Sequence, residues 1–289
     1  MKYLFAVSLL LATATALAAD PAAAPAAAAA PVPAAAPVPG AAPVPGADAA
    51  PPPLSAAETL KWVQQLDDRQ RNSGDYRTNV YIERKERNKN DVVFDATVFR
   101  RDADDKLMIL FQAPKSEKGK GYLRVDKNLW MYDPTTGKWE RRTEREKIGG
   151  TDSRRADFDE SRLAEEYNLT YEGAEKLGTM WTHKLTLTAK KGIDVAYQKL
   201  GLWLSTTSGN TLKKQEFAES GKLMRTTYTP KWAKKYSPSK KGDVWTPKEI
   251  RIFDEVEKGN STTILLKEQD LNSLEANLFT KAWLESQSR

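Results

Sequence analysis

The clearest pattern along this chain is an alternation of apolar and polar residues with a period of two. It is cleanest at 181–188, where Trp181, His183, Leu185 and Leu187 take one parity and Thr182, Lys184, Thr186 and Thr188 the other. Residues 92–101 (VVFDATVFRR) repeat it, with Val92, Phe94, Ala96 and Val98 on one side and Asp95, Thr97 and Phe99 on the other. Such alternation marks half-buried antiparallel strands. Residues 107–142 read as a run of short strands with their turns. Pro114 ends the first of these, because proline has no N–H for a ladder. Strands at 121–125 and 129–132 are joined by Asp126-Lys127-Asn128, a cluster of turn formers. A second turn at 133–137 (DPTTG) leads into 138–142.

The rest of the chain extends this meander. Strands are expected at 76–87, 196–205, 211–218, 222–229, 244–257 and 261–268, separated by Gly-, Asn- and Ser-rich turns. Pro247 predicts an edge or irregular start to 244–257, and 232–242 (WAKKYSPSKKG) reads as a basic loop. Two segments switch to a helical period. In 54–70, Ser55 and Glu58 form a capping box, and Leu60, Val63 and Leu66 with Trp62 make an apolar stripe. Residues 159–167 (DESRLAEEY) predict a short helix capped by Asp157 or Asp159, crossing or covering one end of the sheet. Near the end, Leu278, Phe279 and Trp283 mark a tail that packs back. Many strands in series with two helices predict a mainly β fold: one long antiparallel sheet, apolar on one side and partly closed on itself.

Composition changes the picture at the start of the chain. Residues 1–19 (MKYLFAVSLLLATATALAA) have an early lysine, an apolar run and small residues, the layout of a cleaved signal peptide. Residues 20–53 are almost entirely Ala and Pro, which cannot bury a core. They predict a disordered, partly polyproline-II linker, reaching on the order of 100 Å at ~3.1 Å per residue. The folded region is then 54–289. All but Lys2 of the 45 basic residues and all but Asp20 and Asp48 of the 39 acidic ones fall in it. That moderate basic excess suits solubility, an anionic membrane surface or an acidic partner.

The chemistry the chain lacks is equally informative. It has one histidine, His183, and no cysteine. It therefore has no lipidation cysteine, no disulfide and no His/Cys zinc set. His183 lies within an alternating strand, so a core position is expected rather than a catalytic one. Acidic residues are mostly interleaved with lysine and arginine, as in 102–106 and 141–147, which describes a solvated surface. Gly119 and Gly121 sit in a hairpin and not between a strand and a helix, so they form no phosphate loop. Basic and aromatic residues mix at 232–241, but an exported protein would not meet nucleic acid there. No cofactor and no enzyme activity are expected. The apolar sheet face remains. If the helices cover it fully, it is a core. If they leave a gap, it becomes an apolar cavity suited to acyl chains.

Several segments, in this order, resemble the outer-membrane lipoprotein-sorting protein family, relatives of the periplasmic lipoprotein carrier LolA. They are 108–114 (MILFQAP), 120–125 (KGYLRV), 128–132 (NLWMY) with Asp133-Pro134, 148–159 (IGGTDSRRADFD), 197–204, 221–226 (GKLMRT), 244–250 (VWTPKEI) and 278–280. The resemblance covers most of 76–284. It implies a LolA-like half-open antiparallel β-barrel with covering helices as a lid, an apolar interior and no catalysis. It also implies a periplasmic carrier that holds lipid or lipoprotein acyl chains. Wider members of the family are associated with RND- or MMPL-type inner-membrane exporters, a possible partner here. This chain departs from the family at 150–158, where charged residues (Asp152, Arg154, Arg155) precede Asp157-Phe158.

On strand parity, the expected cavity lining is Val92, Phe94, Ala96, Val98, Met108, Leu110, Leu123, Val125, Leu129 and Met131. Trp181, Leu185 and Leu187 are expected on the same face further round. Arg124 is expected on the exposed side of its strand. The alternative to a carrier is a non-enzymatic envelope adaptor, with a filled barrel that binds an exporter or the cell wall through its loops.

Overall fold

The computed structural model describes residues 49–289 apart from Asn72, Asp126, Glu144, Arg145 and Arg289. The expected leader at 1–19 lies outside the described residues, as does nearly all of the Ala/Pro segment. Helix α1 (Ala56–Arg71) is followed by strands β1 (Asp75–Lys85), β2 (Val92–Arg101), β3 (Lys106–Ala113), β4 (Gly121–Val125), β5 (Asn128–Asp133) and β6 (Lys138–Arg142). A four-residue helix α2 (Leu163–Glu166) precedes β7 (Tyr167–Leu177), β8 (Met180–Ala189), β9 (Lys199–Ser205) and β10 (Thr211–Phe217). Strands β11 (Leu223–Ser237), β12 (Gly242–Asp254) and β13 (Ser261–Asp270) and helix α3 (Lys281–Gln287) complete the fold.

All thirteen strands form one antiparallel sheet in the order β6-β5-β4-β3-β2-β1-β13-β12-β11-β10-β9-β8-β7. The first six strands make one meander and the last seven another, joined where β1 pairs with β13. Strands β6 and β7 are neighbours in sequence but lie at opposite edges of the sheet. The connection between them, 143–166, therefore has to travel from one edge to the other. It does so as a strap across the concave face. The sheet is an open half-barrel with covering helices, the mainly β LolA-like architecture expected from the sequence.

Three apolar clusters hold it together. The first lies under α1, where Val63 and Leu66 pack on Leu185, Leu187, Leu202 and Leu204. The capping box forms as read: the Ser55 amide donates to Glu58 at 2.8 Å and the Glu58 amide to Ser55 Oγ at 3.3 Å. The second cluster lies on the concave face of β1–β3, where Ile148 of the strap packs with Val80, Phe94 and Phe111. The third lies on the opposite face, where the C-terminal segment returns and α3 covers Phe99, Met108 and Leu123.

Three details differ from expectation. The helix expected at 159–167 is confined to Leu163–Glu166, and Tyr167 already belongs to β7. Its caps come from elsewhere: buried Asp67 of α1 accepts the amides of Leu163 (3.0 Å) and Ala164 (2.8 Å). Asp159 is instead engaged by Arg124 at 2.5 Å. Arg124 itself is buried, not exposed, with Asp105 and Asp159 pairing its two terminal nitrogens. The expected basic loop at 232–242 is mostly strand, the distal part of the β11–β12 hairpin. Pro247 does mark an irregular, edge-like stretch near the start of β12, as expected: the register against β11 shifts there and β13 has ceased to pair.

Helix α3 fixes the second face. Leu284 is fully buried, and a Cβ on Gly121 of β4 would stand 2.5 Å from its Cδ1. The absence of a side chain at Gly121 thus creates the seat for Leu284. Leu284→Ala is expected to lower unfolding free energy by about 3 kcal/mol, through lost transfer energy plus the cavity left behind. Urea denaturation with an unchanged m-value would show it. A change within error of zero would mean that the tail does not carry this face.

Candidate functional site

The concave face is built from cross-strand apolar rows. Phe111 of β3 stands opposite Ala96, Ala96 opposite Val80, and Val80 opposite Leu266. Alongside, Ile82 lies opposite Ile264, and Ile264 opposite Ile250 of β12. Directly opposed residues in an antiparallel pair share a face, so these rows form one continuous greasy surface. The strap and α1 do not cover it completely. Between sheet and cover lies a cavity of about 580 Å³. Its apolar wall includes Val80, Ile82, Val98, Ile109, Ile250 and Ile264. Leu200 and Leu202 continue that wall towards α1. Its size is within the range of small-molecule and lipid sites.

The cavity is not uniformly apolar. Towards the base of the β11–β12 hairpin it is bordered by Trp232, Trp245, Thr246, Pro247 and Gln269. The Gln269 side chain bridges the gap where β12 and β13 part. It accepts from Thr246 Oγ1 at 2.9 Å and Lys248 Nζ at 3.0 Å, and donates to the Pro247 carbonyl at 3.0 Å.

The strap is pinned by polar residues from several strands. At its centre, buried Arg225 of β11 donates to both carboxylate oxygens of Asp157, at 2.7 and 2.5 Å, and to the Asp152 carbonyl at 3.0 Å. The same guanidinium grips buried Glu216 of β10, with Nη2 to Oε1 at 2.7 Å and Nε to Oε2. Lys214 closes the cluster, 2.8 Å from Glu216. Burial alone would raise the Asp157 carboxyl, but Arg225 and then Lys214 more than offset it and hold it at about 2. Glu216 is likewise held low by Lys214 and Arg225 against its own burial. Further along, the Asp152 amide donates to Thr262 Oγ1 (2.9 Å) and the Phe158 carbonyl accepts from Arg100 (3.1 Å). Gly149 sits at φ 59 with a would-be Cβ 2.7 Å from the Phe111 ring, so only glycine lets the strap lie this close.

The residues proposed from strand parity divide between surfaces. Val98 borders the open volume. Phe94, Ala96 and Leu129 are buried in the concave-face cluster, and Val92 and Met131 pack against it. Leu185 and Leu187 are buried beneath α1. Trp181 lies at the start of the same strand, with the Lys176 ammonium 5.0 Å from its ring centre. Met108 and Leu123 are on the opposite side of the sheet under α3, with Val125 packed against them. Leu110 shares the parity of Met108 on β3 and stands opposite Gly121, the seat of Leu284. The cause is local: 107–111 (LMILF) is apolar at both parities, so alternation carries no marker of which side faces the cavity. His183 is buried, edge-on to Trp62, with Nδ1 3.2 Å from the Tyr171 hydroxyl. Burial pushes its imidazole down, towards the neutral form.

The cavity wall also holds residues that parity reading missed, chiefly those of β12 and β13, and the charged pins of the strap. Arg100 was visible as a charge on the same parity as Phe94, Ala96 and Val98. An inward-pointing arginine in such a strand has to find a buried partner.

A model of a protein family described as uncharacterized protein matches residues 103–286. Three solved structures share the fold. An outer membrane lipoprotein-sorting protein domain from Vibrio parahaemolyticus superposes with a TM-score of 0.68 at 18% identity, over 80% of this chain and 100% of its own. A LolA superfamily protein from Nitrosomonas europaea gives 0.62 at 18% identity, over 78% and 98%. A DUF1329 family protein from Desulfovibrio piger gives 0.65 at 17% identity, over 79% and 97%. No curated protein matches the sequence.

Proposed function

This chain belongs to the family of uncharacterized proteins that matches 103–286 and has the LolA-like lipoprotein-sorting fold, and from that premise we propose that it is a non-enzymatic carrier of lipid or lipoprotein acyl chains. The observation that carries this reading is the cavity of about 580 Å³ between the apolar rows and the strap. An acyl chain leaving water for such a wall gains about 0.8 kcal/mol per buried CH₂. A carrier needs that gain to be reversible, which a cover held mainly by polar pins permits. The polar border at Gln269 and the two tryptophans suits the headgroup of an amphiphile whose tail lies against Ile250 and Ile264. The fold relationship and the leader-like residues 1–19 support work in the periplasm, where the protein would hand its cargo to, or take it from, an RND- or MMPL-type exporter. An adaptor with a filled barrel fits the open volume less well.

Native mass spectrometry of the protein purified from a periplasmic extract, with organic extraction of whatever travels with it, tests the proposal. A stoichiometric lipid or acylated peptide is expected, together with saturable uptake of a fluorescent fatty acid by stripped protein. A clean apo mass with no uptake would reject carriage and favour the adaptor.

A further inference from the structure

Strands β11 and β12 outrun their neighbours. β10 pairs with β11 only over 223–228, and β13 pairs with β12 only over 249–253. Residues 231–248 therefore pair in strand ladders only with each other, as a two-stranded ribbon with no neighbouring strand on either side, its base held at the Pro247 carbonyl by the Gln269 side chain. Register shifts around Lys231 re-aim the side chains at its base. They bring Trp232, Trp245 and Pro247 to the cavity. Ser237 and Val244 are buried, and the Asp75 amide donates to Ser239 Oγ at 2.8 Å, which anchors the ribbon to the start of β1. Beyond the cavity, Tyr236 is 61% exposed, the most exposed large apolar side chain among the described residues. Lys234, Lys240 and Lys241 are exposed around it.

The ribbon's charge is as one-sided as its shape. Residues 231–248 hold six lysines and one carboxylate, Asp243. Lys234 pairs with Asp243 at 3.1 Å, and Lys231 with the adjoining Glu249 at 2.9 Å. Among the described residues, Lys235, Lys241 and Lys248 have no carboxylate partner. The whole chain has a formal net charge of +6, so this hairpin accounts for most of the excess. Lysines on free strand edges also discourage edge-to-edge pairing. That purpose does not require an exposed tyrosine at the tip. An anionic bilayer offers partners for both groups: its negative potential attracts lysines, and tyrosine settles at headgroup level.

We propose that the 231–248 ribbon docks the protein on an anionic lipid bilayer, with Tyr236 among the headgroups and the tip lysines against lipid anions. Trp232 and Trp245 at the ribbon's base border the cavity, so docking by the tip would turn that end of the cavity towards the membrane. This goes beyond carriage and does not depend on it, since a filled cavity would leave the ribbon unchanged.

The test is flotation of the full chain with phosphatidylcholine vesicles, with and without phosphatidylglycerol. Binding is expected only with phosphatidylglycerol, and it should fall as salt rises. A Lys241→Gln variant should bind about fivefold more weakly. Tyr236→Ala should weaken it further. Both changes are at exposed positions, so melting curves and fatty-acid uptake should match the parent protein. Equal binding to neutral vesicles, no binding to anionic ones, or binding indifferent to these variants would overturn the proposal. The second of these is the result expected if the ribbon serves an acidic protein. Loss of fatty-acid uptake in the parent, with vesicle binding intact, would reject carriage and leave docking standing.

Discussion

Arg225→Met is expected to destabilise the protein by about 4 kcal/mol at neutral pH, the range for removing one partner of a buried ion cluster. Arg225 is 2% exposed and contacts Glu216, Asp157 and the Asp152 carbonyl together. Without it, Glu216 remains buried between β10 and the strap. Lys214 alone would then face two carboxylates, at 2.8 Å from Glu216 and 3.8 Å from Asp157. Methionine keeps much of the stem's volume, so the loss isolates the charge and not the packing. The effect should be largest in the strap, where amide hydrogen exchange over 148–159 should speed up more than in β1–β3.

The pH dependence gives a second readout. Asp157 titrates at about 2 in the folded protein against an ordinary value of 3.8. A depressed carboxyl contributes stability that is present above pH ~4 and is lost as pH falls towards 2. Glu216 is shifted in the same direction and adds to the same acid limb. In Arg225→Met that source of acid lability is gone, because both carboxylates can take up protons in the folded state. The deficit between variant and parent should therefore shrink as pH drops from 6 towards 3. Urea melts at several pH values would show this convergence. A deficit below ~1 kcal/mol at neutral pH, in the range of an exposed pair, would remove Arg225 as the strap's main pin.

Alternation made the two faces of β2 legible, but of the residues expected to line the cavity it placed only Val98 on the open volume, and the reasons are identifiable. Val92, Phe94, Ala96 and Val98 read as one face, and they are one face, because Asp95 and Thr97 mark the other side. β3 has no such marker in LMILF, and Met108 and Leu110 went to the wrong side for that reason. What distinguishes the sides is α3, whose seat at Gly121 depends on a tertiary contact with Leu284. The β11–β12 ribbon hid behind its composition: lysine, serine and proline suggest a loop, whereas the backbone pairing from Trp232 to Ser237 is regular strand. Trp232 and Trp245 then reach the cavity only because register shifts change parity, which no count of twos can anticipate. Arg124 illustrates the same point electrostatically. It reads as exposed until the strap supplies Asp159 from far along the chain.

Filling the cavity should separate carriage from stability. Ile250 and Ile264 are opposed across β12 and β13, and both border the open volume. Each is half-buried because one side of it faces that volume. An Ile250→Trp, Ile264→Trp variant would place two indoles where an acyl chain is proposed to lie. Displacing three or so methylenes costs about 2.4 kcal/mol, so fatty-acid affinity should fall by on the order of 100-fold. Stability should hold or rise, because the indoles fill space and do not displace packed side chains. The control is Phe253→Trp, at a position 39% exposed on the same strand with a parity opposite to that of Ile250 and Ile252. It adds a comparable ring outside the cavity and should leave uptake unchanged. Full uptake by the double variant, with its fold intact, would mean that the acyl chain lies elsewhere. Loss of uptake in the Phe253 control would instead implicate the outer face. If only the cavity variant loses binding, the rows running from Phe111 to Leu266 and from Ile82 to Ile250 form the wall that holds the cargo, and the strap above them is its cover.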